Sequence, residues 1–266
     1  TITIGTGDAE ITAANLNSLN ALTTVAIDAT NVTQITGTVA AANTVYTAGD
    51  AGEITGLGNE TVVISGETDN TLSVASTLNT LDGKTTGTVN AGSLTTIQGA
   101  LSDVLTAYAS NGITGLGNET IAVSDTVTLA ASDLNSLDSK TSGTVTTSTS
   151  LATLTGTVAA LNTAYGSAGL SIEGDEAITI SDTTVDAEAL NDLNNYTSGA
   201  INADTLTTLT GTIADVNVAF AADAAGTISG LGDQAIELAD TNILAADLNT
   251  LNGYTTGTVD ASTVAV

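Results

Sequence analysis

Apolar residues along this chain follow two rhythms. One has period two: Ile2/Ile4, Val62/Ile64, Ile121/Val123, Ile178/Ile180 and Ile236/Leu238 each predict a short strand. The other is spaced 3, 4, 3, 4. Leu94, Ile97, Leu101, Val104 and Tyr108 form one such stripe, and Leu151, Leu154, Val158, Leu161 and Tyr165 repeat it, as do Leu206, Leu209, Ile213, Val216 and Phe220. That spacing predicts a helix with one apolar face. A third pattern sets an apolar residue before Leu or Val five positions on and Leu or Ile three further. It runs through Ile11/Leu16/Leu19, Leu129/Leu134/Leu137, Val185/Leu190/Leu193 and Ile243/Leu248/Leu251, and through Ile27/Val32/Ile35, Val89/Leu94/Ile97 and Ile201/Leu206/Leu209. Polar residues suited to capping follow each start, so the pattern reads as a strand running straight into a short helix.

These patterns recur about every 57–59 residues, marked by a phrase that reads ITGLGNET at Ile54–Thr61 and again at Ile113–Thr120. A weaker copy, TISGLGDQ, begins at Thr227, and LSIEGDEAI from Leu170 is a degenerate one. The repeats are 1–53, 54–112, 113–169, 170–226 and 227–266. The first lacks the opening phrase and the last stops two steps into a helical stripe, at VDASTVAV, which leads us to expect a longer array. Each unit reads as strand, short helix, strand, longer helix. Repeated in line, such units predict an α/β tandem-repeat solenoid with parallel strands, because one unit alone buries only one face of its sheet.

The glycine-rich phrase is the first candidate for chemistry. Phosphate-cradling loops follow a strand, open a helix and usually carry a lysine. This phrase follows a helix, opens a strand and has no lysine, so its glycines are expected to supply positive φ at a corner. The acids closing it, Glu60, Glu119 and Glu176 with Asp175 and Asp233, recur at that corner. Two readings stand: a solvated acidic edge, or calcium held by carboxylates that stacking brings together. Asn17, Asn79, Asn135, Asn191 and Asn249 recur in the short helix, either as a ladder between neighbouring turns or as a polar surface position. Thr-Gly pairs such as those in TTGTV (Thr85–Val89, Thr255–Val259) are expected to turn the chain into the next strand.

Charge narrows the partners. There are 29 acidic residues against Lys84 and Lys140, with no His and no Arg, for a net charge of −27. Such a chain cannot neutralise phosphates, so neither nucleic acid nor an anionic membrane is an expected partner. No apolar run is long enough to span a membrane, so no insertion is expected either. Unpaired surface carboxylates favour a saline or calcium-containing medium. With no Cys and no His, the usual nucleophile–base pairs cannot be built, and we expect no enzyme. One Phe, five Tyr and no Trp leave no large aromatic platform for bases or sugars.

The phrases LNTLDGKTTGTVNA, LTGTVAALNTAY and ITGLGNETI resemble repeats of very large secreted or surface-attached proteins of marine and other aquatic bacteria, including cyanobacteria. That resemblance covers every unit. It implies an extracellular or cell-surface protein of adhesin, surface-layer or matrix type, often calcium-dependent, whose partner is itself as a homo-oligomer or polymer. It carries over no functional residue. The expected function is a structural array forming a fibre, stalk or coat; the alternative is an adhesin-type module binding cell-surface glycans, another surface or ice.

Overall fold

A computed structural model of the chain describes residues 1–67 and 75–264. The helix expected to run on through Val266 lies outside them. Among the described residues the helices are α1 (Ala13–Ala21), α2 (Val39–Asp50), α3 (Ala75–Asp82), α4 (Leu101–Ala109), α5 (Ala131–Asp138), α6 (Val158–Gly166), α7 (Ala187–Tyr196), α8 (Ile213–Ala225) and α9 (Ala245–Tyr254). The architecture is α/β, with repeated strand–helix units and parallel sheets. Two compact units divide the chain: one comprises Thr1–Ser124 with Leu137–Thr146, the other Asp125–Ser136 with Thr147–Val266.

In the second unit, one sheet takes its strands from Thr128–Ala130, Thr153–Gly156, Ala177–Ile180, Ile201–Asn202 and Ile228–Ser229. Leu129, Leu154, Ile178, Ile201 and Ile228 stand in register across it. A second sheet aligns Val185, Leu209, Ile236 and Val259 in the same way. The first unit repeats the design with Ile11, Ile35, Val62, Val89 and Ile113. Two shorter ladders there align Ile2, Ile27 and Ile54, and Ile97, Ile121 and Val145. Each rung is β-branched or leucine and most are buried, Ile2 being 37 % exposed, so these aliphatic columns are both the register mark and much of the core. Of these residues Leu154, Ile201, Leu209 and Ile236 are fully buried.

The unit differs from its predicted outline: it holds five strands, not two. Residues 170–225 run through strands Leu170–Ser171, Ala177–Ile180 and Thr184–Asp186, then α7, strands Ile201–Asn202 and Thr208–Gly211, and α8. Behind Ile27, Val89 and Ile201 no short helix forms. There Asp28, Asn90 and Asn202 accept, through Oδ1, the N–H two residues on, at 3.1, 3.0 and 2.9 Å. This Asx turn competes with a first helical turn and wins. Likewise Ile97, Leu154 and Leu209 lie on strands, and the helices begin four residues later. A Gly-Thr pair separates the two at 156–157 and 211–212: the Gly has positive φ, and the Thr caps the helix at 3.1 and 3.2 Å. The stripe is therefore one buried face shared by a strand and a helix.

Two hydrogen-bond ladders hold successive helices. The fifth residue of each of these helices except α4 is Asn, and in α1–α3 and α5–α8 its Nδ2 donates to the carbonyl of the third residue of the next helix. Asn17, Asn43 and Asn79 reach Ala41, Thr77 and Asp103 at 2.9, 3.0 and 2.9 Å in the first unit. In the second, Asn135, Asn162, Asn191 and Asn217 reach Ala160, Ala189, Asp215 and Asp247 at 2.9–3.5 Å. Of the two readings open for the asparagines, the ladder is the one observed. Its acceptors are backbone carbonyls rather than stacked amides. The second ladder was not foreseen: Glu67, Asp182 and Asp240 reach back from the following coil to accept the first N–H of α2, α6 and α8, at 2.8, 2.8 and 2.7 Å. Each acid satisfies an orphan amide and meets the positive end of a helix dipole.

We expect Asp182→Ala to lower stability by about 1 kcal/mol, the usual worth of a lost N-terminal acceptor. Asp192→Ala, at an exposed helix position, should stay within about 0.5 kcal/mol of wild type. Urea melts of the two variants side by side check this.

Candidate functional site

The phrase GLGNE folds as a corner between a two-residue strand and a four-residue strand. Gly56, Gly115 and Gly230 have φ of 83°, 86° and 90°, as the positive-φ expectation required. The turn directs the N–H of the second glycine inward, toward the side chain two residues ahead. Gly58 N donates to Glu60 Oε2 at 2.9 Å, Gly117 N to Glu119 Oε2 at 2.8 Å and Gly174 N to Glu176 Oε2 at 3.1 Å. From the preceding long helix a tyrosine hydroxyl donates to the same oxygen: Tyr46, Tyr108 and Tyr165, at 2.9, 2.6 and 3.1 Å.

These glutamates do not form a solvated acidic edge. Glu60 and Glu119 are 0 % exposed and Glu176 2 %. A carboxylate is tolerated there because charge-assisted bonds from amide and phenol replace part of its hydration. The tyrosines answer electrically. Burial first, then the neighbouring glutamate, pushes the Tyr46, Tyr108 and Tyr165 hydroxyls above the ordinary phenol range. In each case the carboxylate would face a second negative charge if the phenol ionised.

Asp175 and Asp233 are placed differently. Both are exposed, and each stands one residue before its socket, where the other repeats carry Asn59 and Asn118. The socket residue following Asp233 is Gln234, 2 % exposed. The structure thus separates the five calcium candidates into three inward acceptors and two outward acids. Among the described residues no three His, Cys, Asp or Glu side chains are grouped to hold a metal ion.

The fourth socket exchanges both partners. Phe220 takes the tyrosine position, so no hydroxyl is present, and Gln234 takes the glutamate position. Gln234 Oε1 accepts Gly232 N at 2.7 Å, and its Nε2 donates to Gly230 O at 2.6 Å and Leu206 O at 3.3 Å. A neutral amide satisfies the corner unaided, where a carboxylate uses the phenol. These partners could have been found in the sequence by reading positions 46, 108, 165 and 220 against 60, 119, 176 and 234: Tyr occurs with Glu, and Phe with Gln.

The Thr-Gly pairs close the socket from the next coil. Thr85 and Thr141 donate their hydroxyls to the Glu60 and Glu119 carbonyls at 2.7 and 2.8 Å, and each accepts the N–H of the glycine two residues on. At Gly87, Gly143, Gly199 and Gly257 a Cβ would fall 1.8–2.3 Å from the carbonyl oxygen of the socket residue below. The glycine here serves close approach of two backbones, which explains why TTGT and TSGT recur.

No protein-family model, curated protein or solved structure matches the chain.

Tyr108→Phe and Glu119→Gln should each destabilise by about 1–3 kcal/mol, since each leaves a buried polar group short of a partner. The double variant reproduces the Phe220–Gln234 pair and should cost less than the sum of the two. A double-mutant cycle from denaturant melts reads the coupling, and strict additivity would show the two residues to be independent. Alkali gives a second check. The folded tyrosines are raised above an unfolded value of about 10, so their stabilisation is complete below that pH and is lost as pH rises beyond it. Phenolate absorbance of these three should therefore appear together with loss of circular dichroism, not before it.

Proposed function

We propose that this chain is a structural element of an extracellular fibre, stalk or surface coat, a solenoid whose coils continue by stacking. One observation carries the reading: the polar groups that recur once per repeat point at the neighbouring coil. The asparagine ladder, the carboxylate caps and the Thr-Gly closures all join segments roughly one coil apart. They build length and do not converge on a reaction centre. α9 carries the same donor, Asn249, on an exposed face, and Leu248 is 37 % exposed there while Leu78, Leu134 and Leu190 at that helix position are fully buried. A further repeat stacked on α9 would bury both.

An extracellular setting accords with a charge of −27, which saline screens, and with two lysines, which leave little for a trypsin-like protease. No described helix is long and apolar enough to cross a membrane. The resemblance to giant repeat proteins of aquatic bacteria points the same way.

Electron microscopy and sedimentation of the chain at rising concentration in saline should show rods or filaments lengthening with concentration. At matched ionic strength calcium should do no more than sodium chloride, because the socket glutamates are buried and, among the described residues, no three acids are grouped to hold an ion. A monomer at every concentration and salt level would rule out the assembly.

A further inference from the structure

One repeat position lies at the C-terminal end of each short helix, five residues beyond its asparagine. It holds Leu22, Lys84, Lys140, Tyr196 and Tyr254 in turn. In the first unit Lys84 bonds Asp50 at 2.5 Å and lines a shallow cavity together with Tyr46, Asp50 and Leu57. There the chain supplies an ammonium of its own to a corner made of a ring and a carboxylate.

In the second unit the same position is aromatic. Tyr196 stacks on Tyr165 with ring centroids 6.2 Å apart and planes 9° from parallel; Tyr254 stacks on Phe220 at 5.9 Å and 2°. Parallel rings at these separations are offset, so the inner ring covers only part of one face. Tyr196 remains 49 % exposed and Tyr254 40 %. The expectation of no aromatic platform is therefore corrected: few aromatics are present, but four of them pair here. Beside them stand the outward acids. Asp175 is near enough to Tyr165 to add to burial and to Glu176 in raising its hydroxyl. Asp233 precedes the Gln234 socket, whose backbone carbonyl lies against Gly257, three residues past Tyr254.

We propose that Tyr196 and Tyr254, with Asp175 and Asp233, form a docking surface for the ammonium and guanidinium groups of a basic peptide segment. Charge complementarity selects this occupant. A ring face attracts a cation through its quadrupole, an adjacent carboxylate adds Coulomb attraction, and the −27 chain draws cationic partners toward it. In the first unit Lys84, which lines a cavity with Tyr46, meets the carboxylate of Asp50 from within the chain. Neutral sugars could use the ring faces but would draw nothing from the charge. This surface does not depend on whether the chain assembles.

The test titrates the whole chain with hexalysine at fixed ionic strength, following tyrosine ring resonances by NMR and affinity by calorimetry. Binding should shift the Tyr196 and Tyr254 rings. Tyr196→Leu should weaken it about three- to tenfold, whereas Tyr196→Phe, which keeps the ring, should stay within about twofold of wild type. Leucine stands at this position as Leu22 in the first repeat, so the fold should accept it, and unchanged circular dichroism confirms that. Equal affinity of wild type and Tyr196→Leu would overturn the proposal in favour of diffuse attraction to an acidic surface. Binding of cellohexaose that Tyr196→Leu abolishes would overturn it too, and would assign the rings to a glycan.

Discussion

Backbone amides left without partners at corners and helix starts are the constraint on which the rest of this structure depends. The chain turns sharply and starts helices repeatedly, and every such place leaves backbone N–H groups that neither a helix nor a strand ladder pairs. The chain answers with acids. Glu60, Glu119 and Glu176 take corner amides, and Glu67, Asp182 and Asp240 take helix starts. Asp28, Asp186 and Asp260 take turn or cap amides close by in sequence. An amide donor carries no formal charge, so acids employed this way need no lysine or arginine. The excess of 29 acids over two bases looks like a surface property in the sequence. A good part of it is internal wiring.

This also explains what could be read beforehand and what could not. The repeated strand–helix units, the parallel α/β class and the buried Ile, Val and Leu positions were legible, because periodicity reports burial directly. The element carrying a buried residue was less so. Leu154 was expected on a helix and lies on a strand, although it is buried either way. Spacing of 3 and 4 is produced equally by one helical face and by a strand that feeds a helix through a Gly-Thr break. The two-residue strands at Ile54 and Ile113 were invisible, since so short a strand has no period, whereas Val89 was expected on a strand and lies on one. Their pairing is set by the coil below, not by local sequence.

The corner acids show a different limit. Composition and recurrence placed Glu60 and Asp233 together as acids at one corner, yet one points inward and the other outward. Orientation depends on a single residue of register relative to the glycines. An inward acid lies two residues beyond the glycine whose N–H it accepts (Gly58, Gly117 or Gly174), and an outward one lies one residue beyond Gly174 or Gly232. Sequence spacing contained that distinction, but only the turn geometry gives it meaning.

Repetition then turns the fourth socket into an argument about energetics. In a tandem array each position is sampled several times within one chain, so departures show which residues answer to each other. A lone change from Tyr to Phe would remove a donor from a buried carboxylate, and a lone change from Glu to Gln would add two amide hydrogens that need acceptors. Phe220 and Gln234 change together, and the Gln finds Gly230 and Leu206 carbonyls for its hydrogens. The corner tolerates either a charged pair or a neutral one because the fixed parts, the glycine whose N–H points inward and the Thr-Gly segment packed against it, recur in both. What the fold keeps at this place is a buried side-chain acceptor for the corner amide, not a particular residue.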